Sequence, residues 1–153
     1  MKKVMFISSE GGHLDELRQL NIENYDYSIV TEKTPSTINL GEKYNNVSFL
    51  MYGTRKNPLK YLWVMTFNFF KSMRIFLKYK PDVVVTTGTH TAVLMCYIAR
   101  LFRKKVIWIE TFANRNTKTL AGRLVYPIAN TFVIQWEEMQ KLYPRAKFWG
   151  SIY

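Results

Sequence analysis

The segment KVMFISSEGGH, residues 3–13, combines an apolar run, two glycines and a histidine, and an amphipathic stretch follows it. The apolar run predicts a buried strand, and Gly11 and Gly12 predict a tight turn whose N–H groups stay open to a ligand. His13 then begins a helix, and histidine is the side chain whose ordinary pKa suits proton transfer near neutrality. The segment favours an α/β fold. A phosphate site beside a general base and an ordinary strand-to-helix turn both explain this loop.

Length and composition bound the class of protein. The 153 residues are enough for one domain, residues 1–153, and 48% hydrophobic with 16% aromatic content favours a packed core. The single cysteine, Cys96, excludes an internal disulfide and favours a cytosolic compartment. We expect no export signal, because the apolar run at residues 4–7 is too short. No stretch approaches the roughly 18 apolar residues of a membrane-spanning helix.

The net charge of +11 is unevenly distributed. Between residues 43 and 109 the only carboxylate is Asp82, against twelve lysines and arginines that include Arg55 and Lys56. Such an excess of positive charge predicts an anionic partner, which could be nucleic acid, an anionic membrane or a phosphorylated substrate.

Strand-like and helical segments alternate along the chain. We predict strands at about 3–8, 26–31, 47–52, 82–87, 105–110 and 131–135, and helices at about 13–20, 58–79, 91–102, 118–127 and 136–142. The runs at 83–85 and 106–109 are continuously apolar, which is typical of parallel strands covered on both faces. The pattern predicts a doubly wound parallel sheet. Ligands of such sheets bind at the carboxyl ends of the strands, here residues 8–13, 86–91 and 110–115.

The predicted helix at 58–79 is both basic and aromatic. Asn57 and Pro58 form a good helix start. A helical wheel predicts a core stripe and, on the other side, a basic band bordered by aromatic rings. The stripe consists of Leu62, Met65, Phe69, Met73 and Phe76; the band consists of Lys60, Lys71, Arg74 and Lys78, with Trp63, Phe67 and Phe70 within or beside it. This band predicts contact with an anionic membrane surface. Two alternatives are packing of the rings under a loop and binding of single-stranded RNA.

Two further loops follow predicted strands. Residues 86–91, TTGTHT, repeat the pattern of strand, glycine, histidine and helix start, and could hold phosphate or sugar oxygens or only cap a helix. Glu110 could accept hydrogen bonds from sugar hydroxyls, or pair with Arg115 or Lys118. The sequence contains no dinucleotide-binding, Walker A or zinc-site motif, so we expect neither a metal nor another cofactor.

As a set, these motifs resemble one glycosyltransferase family. SEGGH at 9–13, TGTHT at 87–91 and IETFA at 109–113, with YGTR at 52–55, are similar to the acceptor-side subunit of split, two-domain glycosyltransferases. Bacterial members serve capsular and exopolysaccharide synthesis. The eukaryotic relative anchors the N-acetylglucosaminyltransferase of lipid-linked oligosaccharide synthesis. The same loops resemble the N-terminal half of the enzyme that adds N-acetylglucosamine to the peptidoglycan lipid precursor.

The resemblance implies a Rossmann-like half of a GT-B enzyme that binds a polyprenyl-diphosphate-linked saccharide, with the nucleotide-sugar held by a partner subunit. It implies that His13 is the catalytic base. It also implies that the acceptor and its phosphates are bound by Ser9, Gly11, Gly12, Thr87, Gly88, Thr89, His90, Thr91, Glu110 and Arg115. We expect no membrane-spanning anchor like that of the eukaryotic relatives, so the 58–79 helix is the expected attachment to the cytoplasmic face of the membrane. A basic RNA-binding domain and a self-sufficient nucleotide-binding enzyme are the alternatives.

Overall fold

The computed structural model describes residues 1–53 and 57–153. Thr54, Arg55 and Lys56, which belong to the YGTR motif and to the basic segment, lie outside the described residues. The described chain forms one seven-stranded sheet in the order β3-β2-β1-β4-β5-β6-β7, and every neighbouring pair is parallel. The strands are β1 Lys3–Ser8, β2 Asp26–Lys33, β3 Val47–Met51, β4 Val83–Gly88, β5 Lys105–Ile109, β6 Thr131–Ile134 and β7 Lys147–Phe148. The predicted doubly wound parallel sheet is confirmed.

Helices cover both faces of this sheet. They are α1 Gly12–Arg18, α2 Leu40–Lys43, α3 Pro58–Tyr79, α4 His90–Leu101 and α5 Leu120–Val125, with 3₁₀ helices at Ile22–Asn24 and Glu137–Lys141. Because side chains alternate along a strand, β1 directs Ile7 towards the core shared with α3 and α4, and Phe6 towards the core shared with α1. The strand order reverses between β1 and β4. The carboxyl ends of these two strands therefore border the crevice where such folds bind ligands.

Several short elements differ from the prediction. The sequence pattern missed α2, the first 3₁₀ helix and β7, which has two residues. The helix predicted at 136–142 is the 3₁₀ helix Glu137–Lys141, and α5 is shorter than predicted. Thr119 caps α5 by accepting a hydrogen bond from the Gly122 N–H, and Pro127 has no N–H to donate the next helical hydrogen bond after that of Tyr126. These two residues set the length of α5.

The longest helix, α3, has the predicted bounds but not the predicted core stripe. Its buried residues are Val64, Asn68, Ser72, Ile75 and Phe76, so only Phe76 of the predicted stripe is buried. Leu62 and Phe69 are 65% and 39% exposed, and Met65 and Met73 are half-buried.

Asn68 explains this rotation of α3. Its side chain accepts a hydrogen bond from the Met51 N–H and donates one to the Met51 carbonyl oxygen, each at 2.8 Å. Strand β3 is at the edge of the sheet, where backbone groups need partners. Asn68 supplies them by facing the sheet, and Leu62 and Phe69 of the predicted stripe are turned outward. No helix in the described part of the chain combines the length and the hydropathy needed to cross a bilayer.

Candidate functional site

A cavity of about 420 Å³ lies at the carboxyl ends of the central strands. The end of β4, the start of α1, the end of β5 and the start of α5 form its walls. The lining residues are His13, Thr87, Gly88, Thr89, His90, Trp108, Glu110, Thr111, Thr119, Leu120 and Ala121. Six residues that the sequence nominated (His13, Thr87, Gly88, Thr89, His90 and Glu110) thus meet in one cavity.

Thr87 holds His13 at two points. The His13 Nδ1 lies 2.8 Å from the Thr87 carbonyl oxygen, and the Thr87 hydroxyl donates to the His13 carbonyl oxygen at 2.6 Å. Because a carbonyl oxygen only accepts, Nδ1 must carry the proton. In the neutral ring the lone pair is then on Nε2, which can take a proton from a substrate hydroxyl. The side chain and the carbonyl oxygen of Thr87 are therefore engaged with His13.

Gly88 leaves the room that the His13 ring occupies. A β-carbon at Gly88 would lie 3.2 Å from His13 Nδ1 and 3.3 Å from Cε1, and the Gly88 φ of +105° is one that other residues rarely adopt. The loop at residues 86–91 therefore leaves space for the His13 ring of the turn between β1 and α1.

We expect Gly88→Ala to displace the His13 ring and to lower the free energy of unfolding by about 1–3 kcal/mol, because the new side chain is strained and crowded. Urea unfolding measures the stability, and the NMR signals of the His13 ring report its displacement. Gly41→Ala in α2 is the matched control, since a β-carbon there meets nothing within 4 Å. Equal stability of the two variants, with an unmoved His13 signal, would contradict this role for Gly88.

Glu110 is a buried carboxylate in the wall opposite the glycine loops. It is 1% exposed, and its Oε2 accepts a hydrogen bond from the Trp108 indole at 2.8 Å. Burial raises the pKa of Glu110, and hydrogen bonds from Thr119 and Trp108 act in the opposite direction. Its Oε1 has no hydrogen-bond partner among the described residues. That oxygen can accept a hydrogen bond from a ligand or a water molecule.

Arg115 lies outside the cavity lining. Its guanidinium pairs with Glu138 and lies 4.8 Å from the centre of the Trp136 ring. The alternative in which Glu110 pairs with Arg115 is therefore wrong. The hydrogen bond between them raises the pKa of Arg115 and lowers the pKa of Glu138.

The turn between β1 and α1 also lies beside the cavity lining rather than within it. Gly11 has a φ of +72°, and both Gly11 and Gly12 are exposed. Ser9 is buried, and its N–H donates to the Gly88 carbonyl oxygen at 3.2 Å. The carboxylate of Glu10 accepts a hydrogen bond from the Ser36 hydroxyl at 2.8 Å. The turn is thus tied to the end of β4 and to the segment after β2.

Sequence reasoning missed Glu32, which lies near the end of β2. It is 2% exposed, and its Oε1 accepts a hydrogen bond from the Thr91 hydroxyl at 2.6 Å. The same oxygen lies 3.7 Å from His90 Nε2. Burial raises the pKa of Glu32, and the Thr91 hydrogen bond lowers it. Thr91 is thus held by Glu32 and is absent from the cavity lining, although its neighbour His90 is part of it. A strand prediction one residue longer would have included Glu32.

Glu16 is a second buried carboxylate that the sequence did not indicate. Its Oε1 accepts a hydrogen bond from the Thr111 hydroxyl at 2.7 Å, and its Oε2 accepts one from Gln135 Nε2 at 2.9 Å. Gln135 Nε2 also donates to the Glu110 carbonyl oxygen at 3.0 Å. This network fastens α1 to the ends of β5 and β6, and so fixes the wall that carries Glu110.

The predicted membrane-contact residues lie on one side of α3. They are Lys60, Trp63, Phe67, Phe70, Lys71, Arg74 and Lys78, and together they are called the α3 face below. Trp63, Phe67 and Phe70 are 61%, 41% and 66% exposed, so no segment of the described chain packs over these rings. The Trp63 and Phe67 rings stack at 5.9 Å, and Lys71 Nζ lies 5.8 Å from the Phe67 ring centre.

Comparison with known proteins gives a family match. Residues 54–152 match the family described as "Oligosaccharide biosynthesis protein Alg14 like". The chain is 32% identical over 91 residues to "UDP-N-acetylglucosamine transferase subunit ALG14" of Yarrowia lipolytica, covering 56% of this chain and 42% of that relative. The subunit of the same name from Mus musculus is 28% identical over 104 residues, covering 64% and 48%. The chain thus spans somewhat less than half the length of these relatives.

Solved structures match over most of the chain. MurG of Acinetobacter baumannii has a TM-score of 0.72 at 20% identity, covering 90% of this chain and 43% of that one. A UDP-N-acetylglucosamine 2-epimerase from Rickettsia bellii has a TM-score of 0.74 at 15% identity, covering 99% and 45%. At these identities the likeness concerns the fold, and it confirms the predicted Rossmann-like α/β fold with its GT-B neighbours.

Proposed function

The chain belongs to the Alg14-like family, and from this premise we propose that it is the acceptor-binding, membrane-associating subunit of a two-subunit glycosyltransferase. The partner subunit would bind the nucleotide-sugar, and this chain would bind a polyprenyl-diphosphate-linked saccharide. The names of the relatives support UDP-N-acetylglucosamine as the donor. The observation that carries the proposal is the pairing of His13 with Thr87 in the wall of the central cavity.

In the proposed reaction a hydroxyl of the acceptor saccharide attacks the anomeric carbon of the donor sugar. The oxygen–carbon bond forms as the bond to the nucleoside diphosphate breaks, and the diphosphate leaves with the bonding electron pair. His13 Nε2 takes the hydroxyl proton, while Thr87 keeps the ring oriented through Nδ1. A hydroxyl is a weak nucleophile and needs a base to remove its proton. We propose that this chain supplies that base as His13.

The remaining cavity residues have proposed roles in binding. Glu110 Oε1, which lacks a partner among the described residues, would accept a hydrogen bond from a hydroxyl or amide N–H of the acceptor. Thr89 and His90 line the same cavity, and the turn carrying Ser9, Gly11 and Gly12 borders it. We propose that these groups, together with Gly88, contact the saccharide and its diphosphate. Thr87 and Thr91 would act indirectly, because their hydroxyls are engaged with His13 and Glu32.

Membrane attachment is the proposed role of the α3 face. Exposed tryptophan and phenylalanine rings suit the headgroup layer, and neighbouring lysines and arginines suit anionic lipids. Leu59 and Leu62, 83% and 65% exposed, widen the apolar surface. The Tyr61 ring packs 5.7 Å from the His90 ring, which brings the helix that would meet the lipid next to the cavity. We further propose that the chain lies peripherally on the cytoplasmic side of the membrane. There it would take part in capsular or exopolysaccharide synthesis.

We expect the purified chain alone to transfer no sugar, and transfer to begin when the donor-binding subunit is added. The described part of the chain supplies a base and an acceptor cavity, whereas the donor would be held by the partner. The measurement is incorporation of labelled N-acetylglucosamine from its UDP donor into a polyprenyl-diphosphate-linked acceptor, with each subunit alone and with both together. Sustained turnover by this chain alone would contradict the division of labour.

A further inference from the structure

Within the described part of the chain, few positively charged groups line the central cavity, although it is proposed to take a diphosphate. Among the described residues no lysine or arginine lines it, and its basic side chains are His13 and His90. The proton on His13 Nδ1 is directed at the Thr87 carbonyl oxygen. Among the described lining residues, His90 is therefore the other basic side chain to consider as a group that meets an oxyanion.

His90 lies against a buried carboxylate. Its Nε2 is 3.7 Å from Glu32 Oε1, and its Nδ1 is 3.1 Å from the Thr89 hydroxyl. Glu32 also accepts a hydrogen bond from the Thr91 hydroxyl, and this hydrogen bond fixes the carboxylate against the first turn of α4. A carboxylate at such a distance favours the protonated imidazole, and a nearby cation in turn offsets the cost of burying the carboxylate.

We propose that Glu32 is a positioning residue that holds His90 as the cationic anchor for an oxyanion of the ligand. The identity of that oxyanion, a diphosphate oxygen, rests on the proposed function; the Glu32–His90 pair does not. The two histidines of the chain would then have different tasks. His13, oriented by a neutral carbonyl, accepts a proton, whereas His90, paired with a carboxylate, binds negative charge.

Other groups near His90 and Glu32 also affect the charge of this pair. From α3, the Tyr61 ring packs against the His90 ring. Glu10 and His13, from the turn after β1, both act electrostatically on Glu32, the first raising and the second lowering its pKa. Among the described residues, Glu32 is the carboxylate with an oxygen within 4 Å of a His90 nitrogen, whereas Glu10 is half-buried and hydrogen-bonded to Ser36.

An NMR titration of the isolated chain tests the pair directly. We expect Glu32→Gln to lower the titration midpoint of His90 by about one pH unit, because an opposite charge is lost while the shape is kept. Thr91→Val is the matched control, since it removes the hydroxyl and keeps the carboxylate, and we expect no fall in the midpoint. An unchanged midpoint in Glu32→Gln, or an equal fall in both variants, would overturn the proposal.

Inorganic pyrophosphate serves as the probe for the anion. We expect Glu32→Gln to weaken its binding about tenfold and His90→Gln to weaken it at least as much. Equal binding by the wild-type chain and both variants would overturn the role of His90 as an anchor. Neither experiment needs a partner, a donor sugar or a membrane. Failure of the proposed transfer reaction would therefore leave these results standing, and the reverse also holds.

Discussion

His13→Ala is expected to lower turnover of the assembled two-subunit complex by about 10²–10⁴-fold, the usual contribution of a positioned general base. The loss should appear in kcat at saturating acceptor, because the ring acts on the hydroxyl proton during the transfer step. Folding should be unaffected, since the ring is half-buried at the cavity wall and contacts β4 through one side-chain hydrogen bond. Initial rates with a lipid-linked acceptor, together with circular dichroism of the variant, make the measurement.

His90→Ala is the matched comparison, because both histidines line the same cavity. We expect it to raise the KM for the acceptor and to change kcat less. If His13→Ala kept near-normal turnover while His90→Ala lost it, the base would be His90. If neither variant lost turnover, the base would belong to the partner subunit, and this chain would only bind the acceptor.

The fold could be predicted because its signals are local. Continuous apolar runs identified β4 and β5, and the Asn57–Pro58 start fixed the first turn of α3, where the Asn57 side chain accepts from the Lys60 N–H at 3.1 Å. The two-residue β7 has no periodicity to detect, and it forms only because β6 offers a partner edge. The orientation of α3 depended on a tertiary contact of Asn68 with Met51, which a helical wheel cannot contain.

The sequence predicted those site residues that lie at the carboxyl ends of strands. Parallel strands bring their carboxyl ends to one edge, so His13, the loop after β4 and Glu110 were found without knowing their contacts. Glu16 was missed because a carboxylate on a short amphipathic helix suggests solvent exposure, whereas its partners are 95 and 119 residues away in the sequence. The choice of Glu138 over Glu110 as the partner of Arg115 depends on the same kind of long-range geometry.

Replacing Trp63 and Phe67 together by serine is expected to release the chain from anionic lipid vesicles without unfolding it. Both rings are exposed, so their removal costs little core packing, while the membrane would lose two groups suited to its headgroup layer. The remaining cations of the α3 face contribute about 1 kcal/mol each near an anionic surface, so binding by the wild-type chain should weaken as salt is raised. Co-sedimentation with phosphatidylserine-containing vesicles at several salt concentrations measures both effects.

Phe148 and Trp149 provide a matched control at the opposite edge of the sheet. They are 45% and 64% exposed, close to the values for Phe67 and Trp63, and Lys147 lies beside the Trp149 ring. Their replacement by serine should leave vesicle binding intact, because they lie far from α3 in the strand order. Equal loss in the two double variants would mean that exposed aromatic rings bind lipid without regard to position. Unchanged vesicle binding in the Trp63 and Phe67 variant would remove the α3 face as the site of membrane attachment. The same conclusion would follow if the variant lost binding to single-stranded RNA but kept binding to lipid.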